Sequence, residues 1–296
     1  MNRFLQRLAD PRLILLDGAT GTELQHRGID TSTPIWSALA LLESPKLVEQ
    51  VHRDYLDAGA EVIITNTFRT HRRNLEQVGL GEEAGRLTTL AVAIAQAAVR
   101  ASGKPAFVAG GIAPLEDSYT MAPLPREVYL REHGEIARTL AAAGVDLLLL
   151  ETMKDIAETE AAAEAAKATG LPFGVSFICK LDGRLFSGES IADAVRAIEP
   201  HGPAFVGINC TAAPYLHNAL RELRAATSLP LCAYANPSET EDYVNWDPTA
   251  AEQPEGYAEF ARQWLADGAK LIGGCCGTTS EHIAHLKELI ATDERG

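Results

Sequence analysis

The segment DLLLLETMKDIAETEAAAEAAKATGLPFGVSFI, residues 146–178, contains two short apolar runs with a helical pattern between them. Residues 146–151 and 172–178 have the length and composition of buried strands. Residues 155–168 repeat alanine at helical spacing, and Gly170 follows as a suitable left-handed helix end. A strand, a helix and a second strand in this order predict a crossover unit with two parallel strands.

The same unit recurs along the chain and gives eight strands and eight helices. In 296 residues, eight units predict a single (β/α)8 TIM barrel, an α/β fold that forms one domain over residues 1–296, with its active site at the C-terminal ends of the strands. A doubly wound dinucleotide fold is disfavoured, because residues 17–22 read DGATGT and lack the Gly-x-Gly-x-x-Gly spacing. The predicted strands are residues 13–17, 61–65, 106–110, 146–151, 172–178, 204–209, 231–234 and 270–273. The predicted helices are residues 46–58, 83–101, 126–143, 155–168, 191–198, 214–226, 254–266 and 280–290.

Composition and charge exclude several classes of protein. The chain has 26 Lys and Arg against 40 Asp and Glu, a net charge of −14, and it has no basic cluster for a nucleic-acid backbone. No apolar stretch approaches the roughly 20 residues that span a bilayer, so no membrane contact is expected. The first ten residues lack the apolar core of a secretory signal, and we therefore expect a cytoplasmic protein.

Three of the five cysteines fall at predicted strand ends. Cys210 follows the sixth strand, and Cys275 and Cys276 follow the eighth within Gly-Gly-Cys-Cys-Gly. Three converging thiolates would fill three positions of a tetrahedral zinc ion and leave the fourth open, as in catalytic zinc sites. Cys179 and Cys232 lie in or beside strands without such partners, and we expect them to be buried core residues.

Several motifs near the strand ends are shared with one enzyme family. They are Leu15-Leu16-Asp17-Gly18-Ala19, Thr65-Asn66-Thr67-Phe68, Glu151-Thr152, Gly207-Ile208-Asn209-Cys210 and Gly273-Gly274-Cys275-Cys276-Gly277-Thr278-Thr279. In these motifs the chain resembles the homocysteine S-methyltransferases, whose homocysteine-binding barrel also occurs in betaine homocysteine methyltransferase and at the start of cobalamin-dependent methionine synthase. The resemblance spans nearly the whole chain and implies methyl transfer to homocysteine, giving methionine.

The resemblance also implies a set of site residues. Cys210, Cys275 and Cys276 would ligate Zn²⁺, and the homocysteine thiolate would be the fourth ligand and the nucleophile. Asp17 and Glu151 would hold the ammonium group of homocysteine, although a turn residue and a salt bridge are the alternatives. The carboxylate of homocysteine would accept hydrogen bonds from backbone N–H groups around Gly18, Ala19 and Thr20.

Other strand-end side chains are candidates for lining the pocket, with satisfaction of neighbouring backbone groups as the alternative. These are Thr65, Thr67, Ser176, Asn209, Tyr234 and Asn236. Trp36 and Phe68 are candidates for a cation–π contact with a cationic methyl donor, with core packing as the alternative. Residues 236–254 are acidic and polar, contain Trp246, and are a candidate for a lid over the barrel mouth.

The donor is predicted from chemistry. A sulfonium such as S-methylmethionine or S-adenosylmethionine has a neutral leaving group and a positive charge that suits an anionic site. Betaine is the alternative, disfavoured because Arg69 stands where that branch is expected to have an aromatic residue and because little chain follows Ile290. Residues 110–125 contain Gly-Gly-Ile-Ala-Pro in place of the Ser-Val-Gly-Pro associated with sulfonium donors. A methyl group supplied through cobalamin and folate would require partner proteins.

Functions of other classes remain as alternatives. A metal-dependent hydrolase would need His and Asp ligands at strand ends. Six histidines instead lie in or beside predicted helices, namely His52, His71, His133, His217, His282 and His285. A phosphate-binding barrel would use the Gly273-Gly274 loop, which continues directly into the cysteine pair. A zinc- or thiol-binding protein without catalysis would keep the three cysteines and transfer nothing.

Overall fold

In the computed structural model, which describes residues 2–239 and 247–293, eight parallel strands pair in one sheet whose two ends meet. Leu16 bridges to Val62 in parallel, which joins the first and second barrel strands and closes the ring. The predicted (β/α)8 barrel is thereby confirmed. The strands are β1 (Ile14–Leu15), β2 (Val62–Ile64), β3 (Phe107–Ile112), β4 (Leu147–Met153), β5 (Phe173–Phe177), β6 (Phe205–Ala212), β7 (Leu231–Asn236), the antiparallel pair β8 (Ser238–Glu239) and β9 (Asp247–Pro248), and the last barrel strand β10 (Ala269–Gly274).

All eight predicted helices are present in the described part of the chain, together with four short α-helices that the sequence analysis does not predict. Left-handed glycines end several of them, including Gly59 with φ 112° and Gly144 with φ 85°. Asp155 begins another by accepting a hydrogen bond from the backbone N–H of Glu158 at 2.8 Å. The helices are α1 (Arg3–Ala9), α2 (Thr20–His26), α3 (Leu39–Glu43), α4 (Pro45–Ala58), α5 (Arg72–Glu76), α6 (Ala84–Ser102), α7 (Arg126–Ala143), α8 (Ile156–Ala168), α9 (Ile191–Ile198), α10 (Ala213–Ala226), α11 (Pro254–Ala266) and α12 (Ser280–Asp293).

The core has two layers, one between the sheet and the helices and one inside the barrel. Helix α1 closes the N-terminal end of the barrel, because Phe4 is fully buried there. Its ring centroid lies 5.6 Å from that of Phe107 and 6.0 Å from that of Phe205. Cys232 is fully buried in the same inner layer, and Cys179 is buried in the outer one, as the sequence predicts. The opposite end of the barrel remains available for a site.

Two barrel strands continue beyond their predicted ends through irregular pairing. The register shifts between Leu150 and Met153 on β4, and between Asn209 and Ala212 on β6. Thr152 with φ 62° and Cys210 with φ 50° lie inside these irregularities, in a region that residues other than glycine seldom adopt. Such bulges redirect side chains at the rims of barrels.

Residues 240–246, which include Trp246 of the candidate lid, lie outside the described residues. The flanking strands β8 and β9 pair with each other, with Ser238 opposite Pro248. Over residues 2–239 and 247–293, no helix combines the length and apolar character needed to cross a membrane.

Candidate active site

A cavity of about 690 Å³ opens at the C-terminal ends of the barrel strands. Its wall includes most of the predicted site residues: Gly18, Ala19, Thr20, Trp36, Thr65, Phe68, Glu151, Cys210, Tyr234, Cys275 and Cys276. Five others are buried and are not part of this wall: Asp17, Thr67, Ser176, Asn209 and Asn236.

The three predicted cysteines converge at this cavity. Their Sγ atoms all lie within 4.8 Å of one another, and among the described residues this is the one group of His, Cys, Asp and Glu side chains able to hold a metal ion. Cys210 Sγ and Cys275 Sγ are 2.6 Å apart without a disulfide. The pKa of Cys276 lies well below its ordinary value, because the Cys210 and Cys275 thiols donate to it. Three soft sulfur donors around one point suit zinc, whose Zn–S distance is about 2.3 Å.

The strand ends carrying Cys275 and Cys276 are held by hydroxyl groups from neighbouring helices and loops. The Tyr257 hydroxyl accepts from the Ala235 N–H at 3.0 Å and lies 2.9 Å from the Gly273 carbonyl oxygen. The Thr278 hydroxyl donates to the Cys275 carbonyl at 2.8 Å. These bonds connect β7, β10 and the turn after β10, so the cysteine pair sits on a fixed backbone.

Asn209 and Thr152 form a reciprocal pair beside the sulfur atoms. The Asn209 side chain accepts from the Thr152 N–H at 2.9 Å and donates to the Thr152 hydroxyl at 2.8 Å. The Thr152 hydroxyl is 3.7 Å from Cys210 Sγ, and the Asn209 amide is 3.8 Å from Cys275 Sγ. Asn209 therefore fixes the bulge of β4 beside two of the cysteines.

Two buried carboxyl groups lie near each other, one on the cavity wall and one behind it. Asp17 is fully buried; its Oδ2 accepts from the Ile64 N–H at 2.9 Å, and its Oδ1 has no partner among the described residues. Glu151 lines the cavity, and burial, with the charge of Cys275, raises its pKa to about 8. Burial and the charge of Glu151 raise the pKa of Asp17 well above its usual range. A cation placed between them would compensate both charges.

Several predicted polar groups satisfy neighbouring backbone. The Thr67 hydroxyl donates to the Gly111 carbonyl at 2.7 Å, and the Thr65 hydroxyl accepts from the Gly111 N–H at 3.1 Å. The Asn236 amide donates to the Cys210 carbonyl at 3.0 Å. The N–H of Ala19 donates to the Thr278 hydroxyl at 3.2 Å, so it is engaged within the protein. These side chains connect adjacent strands at the rim of the barrel.

Trp36 and Phe68 meet edge to face on the cavity wall, with ring centroids 5.4 Å apart. Asn66 fixes the Trp36 segment, because its amide donates to the Ser37 carbonyl at 2.9 Å and its oxygen accepts from the Ser37 hydroxyl at 2.8 Å. The aromatic pair presents π-surface to the cavity.

Comparison with known proteins shows the family of the chain. The family model for homocysteine S-methyltransferase matches residues 14–290. The chain belongs to the homocysteine S-methyltransferase family.

Three relatives show how far the likeness extends. The homocysteine S-methyltransferase YbgG of Bacillus subtilis (strain 168) is 32% identical, covering 93% of each chain. A selenocysteine methyltransferase of Astragalus bisulcatus is 29% identical over 96% of this chain and 94% of its own. The crystal structure of the metallated form of the homocysteine methyltransferase MmuM from Escherichia coli superposes with a TM-score of 0.84 and 32% identity, covering 97% of this chain and 98% of that one.

Some residues of this homocysteine S-methyltransferase site were not predicted from the sequence. The sequence analysis assigns no role to Thr152, Asn66 or Tyr257. Tyr257 lies in an apolar helical pattern, which predicts that its side chain is buried. A buried hydroxyl needs a hydrogen-bond partner, so the sequence could have indicated a role for this phenol. Thr152 gave no such signal, because its unusual backbone angle comes from the pairing of β4 with its neighbour.

Proposed function

We propose that this homocysteine S-methyltransferase uses Zn²⁺ held by Cys210, Cys275 and Cys276, and that it methylates homocysteine from a sulfonium donor. One observation carries the proposal: the three cysteines and Glu151 line one cavity, Asp17 is buried close to Glu151, and neither carboxyl group has a cationic partner among the described residues. We propose as well that residues 1–296 form a single homocysteine-binding domain. A cytoplasmic location stays a prediction from the sequence.

The carboxyl groups suit the ammonium group of homocysteine. Asp17 Oδ1 has no partner among the described residues, and Glu151 is buried with its pKa raised by burial and the charge of Cys275. An ammonium group between them would lower the pKa of both and make charge-assisted hydrogen bonds. The homocysteine carboxylate would meet the backbone at Gly18 and Thr20, where α2 begins at the cavity wall.

Methyl transfer needs a thiolate aligned with the methyl group of the donor. Bound zinc would lower the pKa of the homocysteine thiol, so that its sulfur is nucleophilic at neutral pH. As the new S–CH₃ bond forms, the bond between the methyl carbon and the donor sulfur breaks and its electron pair stays on that sulfur. The donor leaves as a neutral thioether, so no residue has to protonate it. Trp36 and Phe68 would face the positive charge of the donor before transfer.

The test is methionine formation by zinc-loaded protein given homocysteine with S-methylmethionine, S-adenosylmethionine or betaine in parallel. We expect methionine from a sulfonium donor. Cys276→Ser should abolish it and reduce bound zinc, whereas Cys179→Ser, a buried cysteine outside the cluster, should retain zinc. Methionine from betaine alone would establish the alternative donor. Bound zinc without methionine from any donor would indicate a partner-supplied methyl group or binding without catalysis.

A further inference from the structure

Arg69 places a positive charge on the wall of the otherwise acidic cavity. Its guanidinium carbon lies 5.2 Å from the centroid of the Phe68 ring. Its Nη1 donates to the Glu116 carbonyl at 3.2 Å and reaches the Pro114 carbonyl at 3.5 Å, both in the loop after β3. The guanidinium is therefore held in place by backbone and an aromatic ring.

This guanidinium has no carboxylate partner within the described part of the chain. The carboxylates of Asp117, Glu116 and Glu158 are close enough to act on its charge. Each of them bonds elsewhere: Asp117 to its own loop, Glu116 to another arginine, and Glu158 to a histidine and a backbone N–H. The Nε and Nη2 groups of Arg69 are thus left without an acceptor among the described residues. Burial lowers the pKa of Arg69, but arginine stays charged in proteins.

A second cation is buried behind the loop that Arg69 bonds. Lys154 is 2% exposed, and its Nζ donates to the carbonyl oxygens of Asp117 and Thr120 in the same loop. Glu151 and the three cysteines line the same cavity as Arg69. The cavity therefore offers both a cationic and an anionic group to a ligand that carries both charges.

We propose that Arg69 binds the carboxylate of the methyl donor, so that the donor is a methylated onium compound with a carboxylate. The proposal rests on the proposed function. Two unpaired N–H groups on one planar guanidinium match the geometry of a carboxylate. Trp36 and Phe68 stand next to Arg69 and would contact the onium group of the same molecule. Cys210, Cys275 and Cys276 line the same cavity.

The test compares S-methylmethionine with its carboxamide in the wild type and in Arg69→Gln. Loss of a charge-assisted bidentate contact should raise KM for S-methylmethionine about tenfold to a hundredfold. KM for the carboxamide and for homocysteine should change less than about twofold, so the preference for the carboxylate donor is lost. Arg69→Lys should recover part of it. Arg72→Gln is the matched control, because that guanidinium pairs with Glu135 outside the cavity.

Direct binding separates this proposal from the proposed function. Calorimetry with S-methylmethionine and no homocysteine should show binding to the wild type and at least tenfold weaker binding to Arg69→Gln, even if no methionine is ever formed. The proposal is overturned if KM for homocysteine rises in place of that for the donor, since Arg69 would then bind the acceptor. It is equally overturned if the wild type binds S-methylmethionine and its carboxamide alike.

Discussion

Gly111 on β3 offers a way to displace Glu151 without changing any charge. A Cβ atom at position 111 would lie 2.6 Å from Glu151 Oε1 and 3.1 Å from Ile64 Cγ2. Carbon and oxygen do not approach so closely, so the Glu151 carboxylate in Gly111→Ala must retreat by roughly 0.5–1 Å. The backbone at Gly111 has no positive φ, and alanine introduces no strain of its own.

The size of the effect follows from the contact proposed for Glu151. A hydrogen bond to a charged group contributes about 1.5–3 kcal/mol. Displacing the Glu151 carboxylate by this distance would remove much of that hydrogen-bond free energy. A loss of about 1.4 kcal/mol corresponds to a tenfold lower affinity. We expect Gly111→Ala to raise KM for homocysteine about tenfold at saturating donor, with KM for the donor and the zinc content unchanged.

Gly110→Ala is the matched control. Its Cβ would meet Leu140 and Leu148 side-chain atoms at 3.0–3.2 Å, away from the carboxylate. When Gly111→Ala is combined with Glu151→Gln, KM for homocysteine should rise little further. The carboxylate charge that the new methyl group would displace is already absent in Glu151→Gln. If Gly111→Ala leaves KM for homocysteine unchanged while Glu151→Gln raises it tenfold, the reasoning from this contact is wrong. If neither variant changes it, Glu151 does not hold the ammonium group.

Two further predictions concern groups outside the cavity wall. Tyr257→Phe removes the hydroxyl that bonds Ala235 and Gly273. Denaturant titration should show a free energy of unfolding lower by about 1–3 kcal/mol, and an unchanged value would mean that the two strands do not depend on this hydroxyl. Burial lowers the pKa of His52 from 6.5 to about 4. Between these pH values the unfolded chain therefore binds one proton at His52 that the folded chain does not. The contribution of His52 lowers the free energy of unfolding by about 3 kcal/mol as the pH drops from 6.5 to 4. His52→Leu should remove that part of the pH dependence, and an identical pH profile in both proteins would contradict the assignment.

The sequence predicted the fold and the cysteine cluster because both depend on periodic or local patterns. Alternating strand and helix signals determine the number of units, and eight units leave few closed arrangements. Cys210 and the Cys275–Cys276 pair stand at the predicted ends of the sixth and eighth barrel strands, which are β6 and β10 of the structure. The C-terminal ends of all barrel strands share one rim. Convergence of the three sulfur atoms therefore followed from topology, without knowledge of any side-chain contact.

The hydrogen-bond partner of each polar strand-end residue could not be predicted from such patterns. Thr65 and Asn209 are both polar residues at predicted strand ends, and nothing in the sequence distinguishes their roles. Thr65 accepts a hydrogen bond from the backbone of β3, whereas Asn209 forms two hydrogen bonds with Thr152. Which partner each one finds depends on register shifts in β4 and β6, and these arise between neighbouring strands. Asp17 differs from both because one of its oxygens finds no partner in the described structure. A buried acceptor left open is costly unless a ligand completes it, so this one unsatisfied oxygen is a stronger indication of substrate binding than the identity of the residue.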